Sequence, residues 1–585
     1  MNARTLPVSA LSLAVLLSAC APASTPGAAG SGGRAASTGG SVGTGSVGAV
    51  STGGSSASDS GGSVGTGTGG SAIGSGGSDT STGGGTSASG GAVGSGGTAS
   101  GSGGSGGPVG GATVIAGGFS RPKGKIPSQA YPATMVNPPR TDWAKGLLSP
   151  TMNDHHHMNA SEVVNGYLRL NGCEDTWAYD ISDPAHPKQL SYIVSPHRDP
   201  KGGPKKEGEA ESQQITYGKY GDNFYYASTA GKGVDIWNIT DATKPVFLKT
   251  VELPGVAYGD FTEAVWGLSW QGNYIYIGAT NTGLDILDAT DPNNVTLAKR
   301  IPNSTFGGIN AGPLWAVGNI LVITTPKENG GIATLDISDP LNPVTLSTLT
   351  TVKSYIGGFY RHYAFLQSPL TAWDVLTDPK NIGTANSPFS TMNTPSSEYV
   401  AFSDDNLFLG HLRPNPGASK IDISDMKKMS ITSRIWGRLD RGGINDDQFP
   451  APIGNLLVLG DDQAPYYGAV LAVHAAEPDK KPPVVDSVIP KDKSTGADVK
   501  SRIGLSFTDH IELATLNQAS LIVRPMGGGP QVTGKWGLTY TVINFSPDAP
   551  LQPKTTYEVI LPAGGITDVV GNPIAQEFRS TFTTQ

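Results

Sequence analysis

The chain has 585 residues, of which 81 are Gly and only 15% are charged; 40 Lys and Arg face 48 Asp and Glu, giving a net charge of −8. That balance excludes a nucleic-acid partner, which needs clustered basic residues. Two cysteines exclude both a disulfide-rich scaffold and a cysteine-based zinc site.

In chain order, residues 1–19 hold one early cation, Arg4, and the apolar run Leu11–Leu17. The run falls short of the roughly 20 apolar residues that cross a bilayer, so it reads as a secretory signal peptide. From Ala21 to Thr113 the chain has 35 of its 81 glycines, no aromatic residue and three charges, Arg34, Asp59 and Asp79. Such a stretch cannot bury enough apolar surface to offset the entropy of ordering it, and residues 20–113 are expected to be a disordered Gly/Ser-rich tether. Within it, matches to GxGxxG (Gly43–Gly48) and GxSxG (Gly103–Gly107) lack the strand and helix that either motif requires.

Residues 114–477 carry a repeat of about 49 residues, an apolar strand followed by a second that ends in an Asx or His position. The aligned positions are Asp180, Asn238, Asp288, Asp336, Asp374, Asp422 and His474. Tyr, Val and Ile at period two suit a pleated surface. The Asp side chain can then close an Asx turn, and the Pro that often follows in an Asp-Pro pair stops the strand. Four short strands per unit and seven units predict an all-β, seven-bladed β-propeller. The last unit lacks an outer strand, because Pro478 and Pro482-Pro483 follow directly; a strand from within 114–150 is expected to close the ring. Residues 482–585 then show short strands near Gly504, Ser520, Thr541, Thr556 and Ser580, the pattern of a small β-sandwich with Trp536 and Tyr557 in its core.

Three segments resemble known families. Leu17-Ser18-Ala19-Cys20 resembles the bacterial lipobox, which implies lipidation of Cys20 and an outer-membrane or surface location. Asp180–Pro187 and Asp336–Pro343 resemble LVIVD-repeat proteins, which implies a propeller and no established common chemistry. Leu551–Val559, Ile566–Asn572 and Phe582–Thr584 resemble the Ig-like domain of SbsA-type surface-layer proteins, which implies a spacer or adhesive module.

Candidate chemistry gathers where first strands begin. His156 and His157, with Glu263, Glu398 and Asp446, would meet at one rim of the channel. Imidazole with carboxylate suits Zn or Mn, and carboxylate alone suits Ca. Neither HExxH nor GxxxxGK[ST] occurs. Residues 201–211 read as a solvated loop, Cys173 as an inert buried thiol, and His474 as structural. Trp177, Trp237 and Trp373 are expected to pack between blades. The function expected is a lipid-anchored, non-enzymatic surface module for binding, adhesion or scaffolding, meeting the membrane through its lipid and an envelope polymer or surface protein through its folded part. The alternatives are an exported metal-dependent propeller hydrolase or lactonase using the rim residues, and a purely structural envelope component.

Overall fold

The computed structural model describes residues 110–585 except 154–157, 159, 173–174, 198–213, 231–232, 257–264, 326–329, 353–356, 368, 383–389, 393–396, 412–414, 441–448 and 462–467. The expected signal peptide, Cys20, the expected tether up to residue 109, the 201–211 insertion and Cys173 lie outside the described residues; the tether's last residues, 110–113, are described, and Thr113 opens the short strand Thr113–Val114, which pairs with Ser120–Arg121.

Among the described residues, seven antiparallel meanders follow one another, spanning 160–194, 216–252, 267–301, 314–349, 357–392, 397–436 and 449–473. The first six have four strands and the seventh has three. Each sheet shares an apolar cluster with the next. Leu407 and Leu409 of the sixth sheet pack against Phe365 of the fifth, while Phe408 between them joins Leu457 and Leu459 of the seventh. Period two therefore sends alternate residues to opposite neighbours, and both faces of a sheet are buried. Val163 and Trp177 of the first sheet meet Val458 and Leu471 of the seventh, so the sequence of contacts returns to its start. Trp237 lies between the first and second sheets and Trp373 between the fourth and fifth, as expected.

The repeat's Asx position does what its chemistry predicts. The backbone N–H two residues on donates to the side-chain oxygen of Asp180, Asn238, Asp288, Asp336 and Asp422 at 2.8–3.0 Å. At Asp374 the donor is Thr377, three residues on. In the seventh unit His474 is buried instead; its Nε2 lies 2.8 Å from the carbonyl of Gly454, and burial lowers its pKa to about 3. Its role is structural.

The seventh sheet takes its missing partner from the segment before the first sheet. Leu147 and Met152 bridge to Ala472 and Ala469 in antiparallel sense, and the Leu148 N–H donates to Leu471 at 2.8 Å. A segment at 147–152 thus covers the edge that Pro478 leaves open.

The C-terminal sandwich has two sheets. One has strands Ser494–Ala497, Phe578–Thr584, Thr556–Leu561 and Ile522–Pro525 in that order. The other has Gly534–Thr539, Val542–Pro547, Ile503–Phe507 and Val485–Ile489. Trp536 and Tyr557 are core residues, as expected. This domain is not a separate bead after the ring. Strand Gly534–Thr539 pairs with Thr216–Tyr220, the first strand of the second sheet, placing Trp536, Gly537 and Leu538 opposite Lys219, Gly218 and Tyr217. The result is one continuous eight-stranded sheet.

Candidate functional site

First strands touch between the second and third, third and fourth, fifth and sixth, sixth and seventh, and seventh and first sheets; Trp315 of the fourth stacks on Phe359 of the fifth, and Ala160 and Val164 of the first share a cluster with Tyr217 of the second, so first strands surround a common channel. The hairpin turns that follow these strands hold the Ig-like domain. The N–H groups of Asn165 and Gly166 donate to the Glu512 carboxylate at 2.8 and 2.9 Å. The carbonyl of Gln271 accepts from Ser546, Gly318 N–H donates to Asn544 at 2.8 Å, and His362 Nδ1 lies 2.7 Å from Asp486. Asp404 N–H donates to Thr508 at 2.6 Å, and Gly454 abuts Val570. Every sheet thus contributes to the seat, the second through strand pairing.

Glycine makes the close approach possible. Gly218 and Gly537 are paired where Trp270 crosses them; a Cβ on Gly218 would lie 2.5 Å from the indole, and one on Gly537 would run into the Trp270 carbonyl.

Charged groups are buried in the seat. Glu162, on the first strand of the first sheet, lies 3.0 Å from His510 Nδ1, with only 2% and 6% of the two side chains exposed. Burial disfavours the imidazolium, but Glu162, Asp509 and the Phe402 backbone outweigh it, so the His510 pKa rises. Lys219 donates to the Leu516 carbonyl and lies 5.4 Å from the Trp536 ring; burial lowers its pKa to about 8. Burial raises Glu512 to about 7, against the N–H donors that hold its charge.

Asp479, Asp509 and Asp568 bring one carboxylate oxygen each within 4.8 Å of one another. Burial pushes Asp568 to about 7 and Asp509 well above the usual carboxylate range. Asp568 accepts from the N–H groups of Val570, Gly571 and Asn572 at 2.7–3.0 Å, so it also shapes its own turn. Three carboxylates at this spacing could hold a hard cation such as Ca²⁺ or share protons. They belong to the linker and the Ig-like domain, and none of them is among the residues to which sequence reasoning assigned a metal. Nothing in the local sequence marks them as a group, because they are 30 and 59 residues apart.

The rim residues cannot be placed. His156, His157, Glu263 and Asp446 lie outside the described residues; Glu398 belongs to strand Ser397–Ser403, but its side chain is also outside them. The Zn, Mn or Ca site expected there, and the hydrolase or lactonase reading built on it, have no described geometry.

The channel itself holds a cavity enclosing about 740 Å³ of space, counting what opens to solvent. Its walls include residues of first strands: Trp315, Phe359, Tyr399, Phe402 and Phe449 supply aromatic side chains, with Ala160, Ala401 and Ala451 among them. His510, Tyr540 and Thr541 of the Ig-like domain also line it. The domain that occupies the turn side therefore supplies one boundary of the cavity.

Two family models match parts of the chain. Residues 479–584 match the bacterial Ig-like domain family Big_5, and residues 264–301 match the LVIVD repeat. No curated protein matches the chain. Among solved structures, the computationally designed Ika8 protein is 12% identical, covering 56% of this chain and 99% of its own, with a TM-score of 0.37. The C-terminal WD40 domain of Sif2 is 8% identical over 56% of this chain and 99% of its own, with a TM-score of 0.38. The extracellular domain of BT4673 from B. thetaiotaomicron is 9% identical over 79% of this chain and 60% of its own, also with a TM-score of 0.38. No described helix is long and apolar enough to cross a membrane. The chain is an all-β protein that carries an LVIVD repeat within propeller-like sheets and ends in a bacterial Ig-like domain.

Proposed function

We propose that this is an exported lipoprotein, anchored through Cys20, whose Gly/Ser-rich segment tethers a single propeller of seven blades to the outer membrane or cell surface. The propeller and Ig-like domain act together, without catalysis, as a binding or scaffold module for an envelope polymer or a surface protein. The observation that carries this reading is the seat: strand pairing and contacts from all seven sheets join the two folded parts. A module held this way keeps its loops in fixed relation, which suits multivalent contact. The Gly/Ser tether, at random-coil scaling, reaches roughly 50–60 Å, enough to stand it clear of a membrane.

The test is fractionation of cells expressing the full chain or its Cys20→Ala variant. The wild-type chain is expected in the detergent phase and accessible to protease on intact cells, and the variant in the aqueous phase. A variant that stays in the membrane to the same extent would overturn the lipid anchor; a chain protected on intact cells would overturn surface display.

A further inference from the structure

We propose that Asp479, Asp509 and Asp568 form a calcium site that clamps the Ig-like domain to the linker before it. The site goes beyond the surface-module reading and does not depend on the lipid anchor, so the two can fail separately.

Asp479 stands between the last ring strand, which ends at Val473, and the first sandwich strand, which begins at Val485. Asp509 follows strand Ile503–Phe507, and Asp568 precedes strand Phe578–Thr584. Acidic groups often lie this close where water screens them, but these are withdrawn from water. Asp509 is 3% exposed and Asp568 is fully buried. Asp509 accepts one hydrogen bond, on Oδ1 from the N–H of His510 at 2.8 Å, so among the described residues its Oδ2 has no donor. Asp479, partly buried, turns in a buried Oδ2 that likewise has none among them. Asp568 is more fully engaged. Its Oδ1 takes three backbone N–H groups and its Oδ2 takes the Asn572 side chain at 2.8 Å, which leaves one lone pair of Oδ2 for a further partner. Buried carboxylate oxygens without donors call for a cation or a proton.

The neighbouring side-chain cations are engaged elsewhere. Lys481 and Arg361 both donate to Asp405, at 2.6 and 2.9 Å, and His510 lies 3.0 Å from Glu162. Asp404, in the first turn of the sixth sheet, adds to the negative charge; its buried Oδ1 stands 3.6 Å from Lys481 Nζ, beyond hydrogen-bond reach. Burial raises the pKa of all four aspartates, and at Asp404, Asp509 and Asp568 the neighbouring carboxylates add to it. Ligands that are all oxygen favour a hard cation over zinc. The three oxygens lie within 4.8 Å of one another. Ca²⁺ holds its oxygens at roughly 2.3–2.6 Å, so opposed ones stand up to about 5 Å apart, whereas Mg²⁺ at roughly 2.0–2.1 Å draws them within about 4.2 Å. Backbone carbonyls and waters would complete the calcium sphere.

The test is thermal unfolding of the full chain, produced without export so that no lipid is added, stripped with EGTA and then given rising CaCl₂. The wild-type melting temperature is expected to rise and level off, with half the effect reached at or below about 1 mM, and calorimetric titration should count one Ca²⁺ per chain. Asp509→Asn and Asp479→Asn keep the shape of the side chain and remove a charge. Each is expected to bind calcium more than about tenfold more weakly, yet to unfold in EGTA no earlier than wild type, because a like charge has gone. Asp288→Asn, at an exposed turn position that Asn238 fills in the second sheet, is expected to respond as wild type. Should Asp509→Asn fail to fold, Asp479→Asn on the linker carries the comparison. Carboxylates that merely share protons would give no calcium response; no saturable rise in wild type below about 10 mM would therefore overturn the proposal. Wild-type calcium affinity in either folded variant would overturn it too, as would an equal rise with MgCl₂. None of these results bears on Cys20 fractionation, so failure of the site and failure of the surface-module reading are told apart.

Discussion

Removal of the His510 imidazole tests the energetic logic of the seat. His510→Ala leaves the Glu162 carboxylate, 2% exposed, with the N–H of Val163 at 3.0 Å but without its cationic neighbour. Breaking a buried ion pair from one side typically costs about 3–5 kcal/mol. Trimming the ring also leaves a cavity against its neighbours, which adds to the loss. The loss of stability at pH 7 should therefore be about 3–5 kcal/mol. Urea unfolding of wild type and variant, followed through tryptophan emission, measures this. A loss below about 1 kcal/mol, the worth of an exposed ion pair, would refute the claim that Glu162 depends on His510.

Three further outcomes follow from the same geometry. Gly537→Val forces a side chain against the Trp270 carbonyl, and should destabilise the joined sheet by at least the 1–3 kcal/mol typical of overpacking, read as a lower urea midpoint. Glu512 and Asp568, both raised to about 7, and Asp404, raised to about 6, prefer to be protonated in the folded state. The stability they contribute is complete below their ordinary values near 4 and is lost as pH rises, so melting temperature should fall between pH 5 and pH 8. Lys219 has the opposite sign: lowered to about 8, it adds stability only as pH climbs from there toward 10.5. A melting temperature that climbs from pH 5 to pH 8 would contradict this balance. Asp336→Ala removes the acceptor for the Ser338 N–H, and should cost about 1 kcal/mol in thermal unfolding, with Asp336→Asn restoring most of it.

The repeat was legible because it is written locally. The Asx positions and alternating apolar residues each act within a few residues of where they stand, so strand, turn and between-blade tryptophans follow from the sequence. The C-terminal strands near Gly504, Thr541 and Thr556 were readable for the same reason. The docking was not. Lys219 meets Leu516 across 297 positions and Glu162 meets His510 across 348, and a lysine in an alternating strand reads as an exposed residue until the domain that covers it is in place. Strand Gly534–Thr539 went unrecognised as a pairing edge because Gly534 and Gly537 weaken its β signature, yet Gly537 is what lets it approach Trp270. The rim cluster stood out by residue type alone, whereas the carboxylates that do converge are scattered singly along the chain.

Backbone hydrogen exchange at the join between the two folds tests the central claim most directly. If the Ig-like domain is built into the propeller, amides of Tyr217–Lys219 and Trp536–Leu538 are protected as strongly as those in the middle of the third sheet, and they exchange together. Rapid exchange at both strands, with the third sheet still protected, would show that the domain is a loosely attached spacer and would contradict the account.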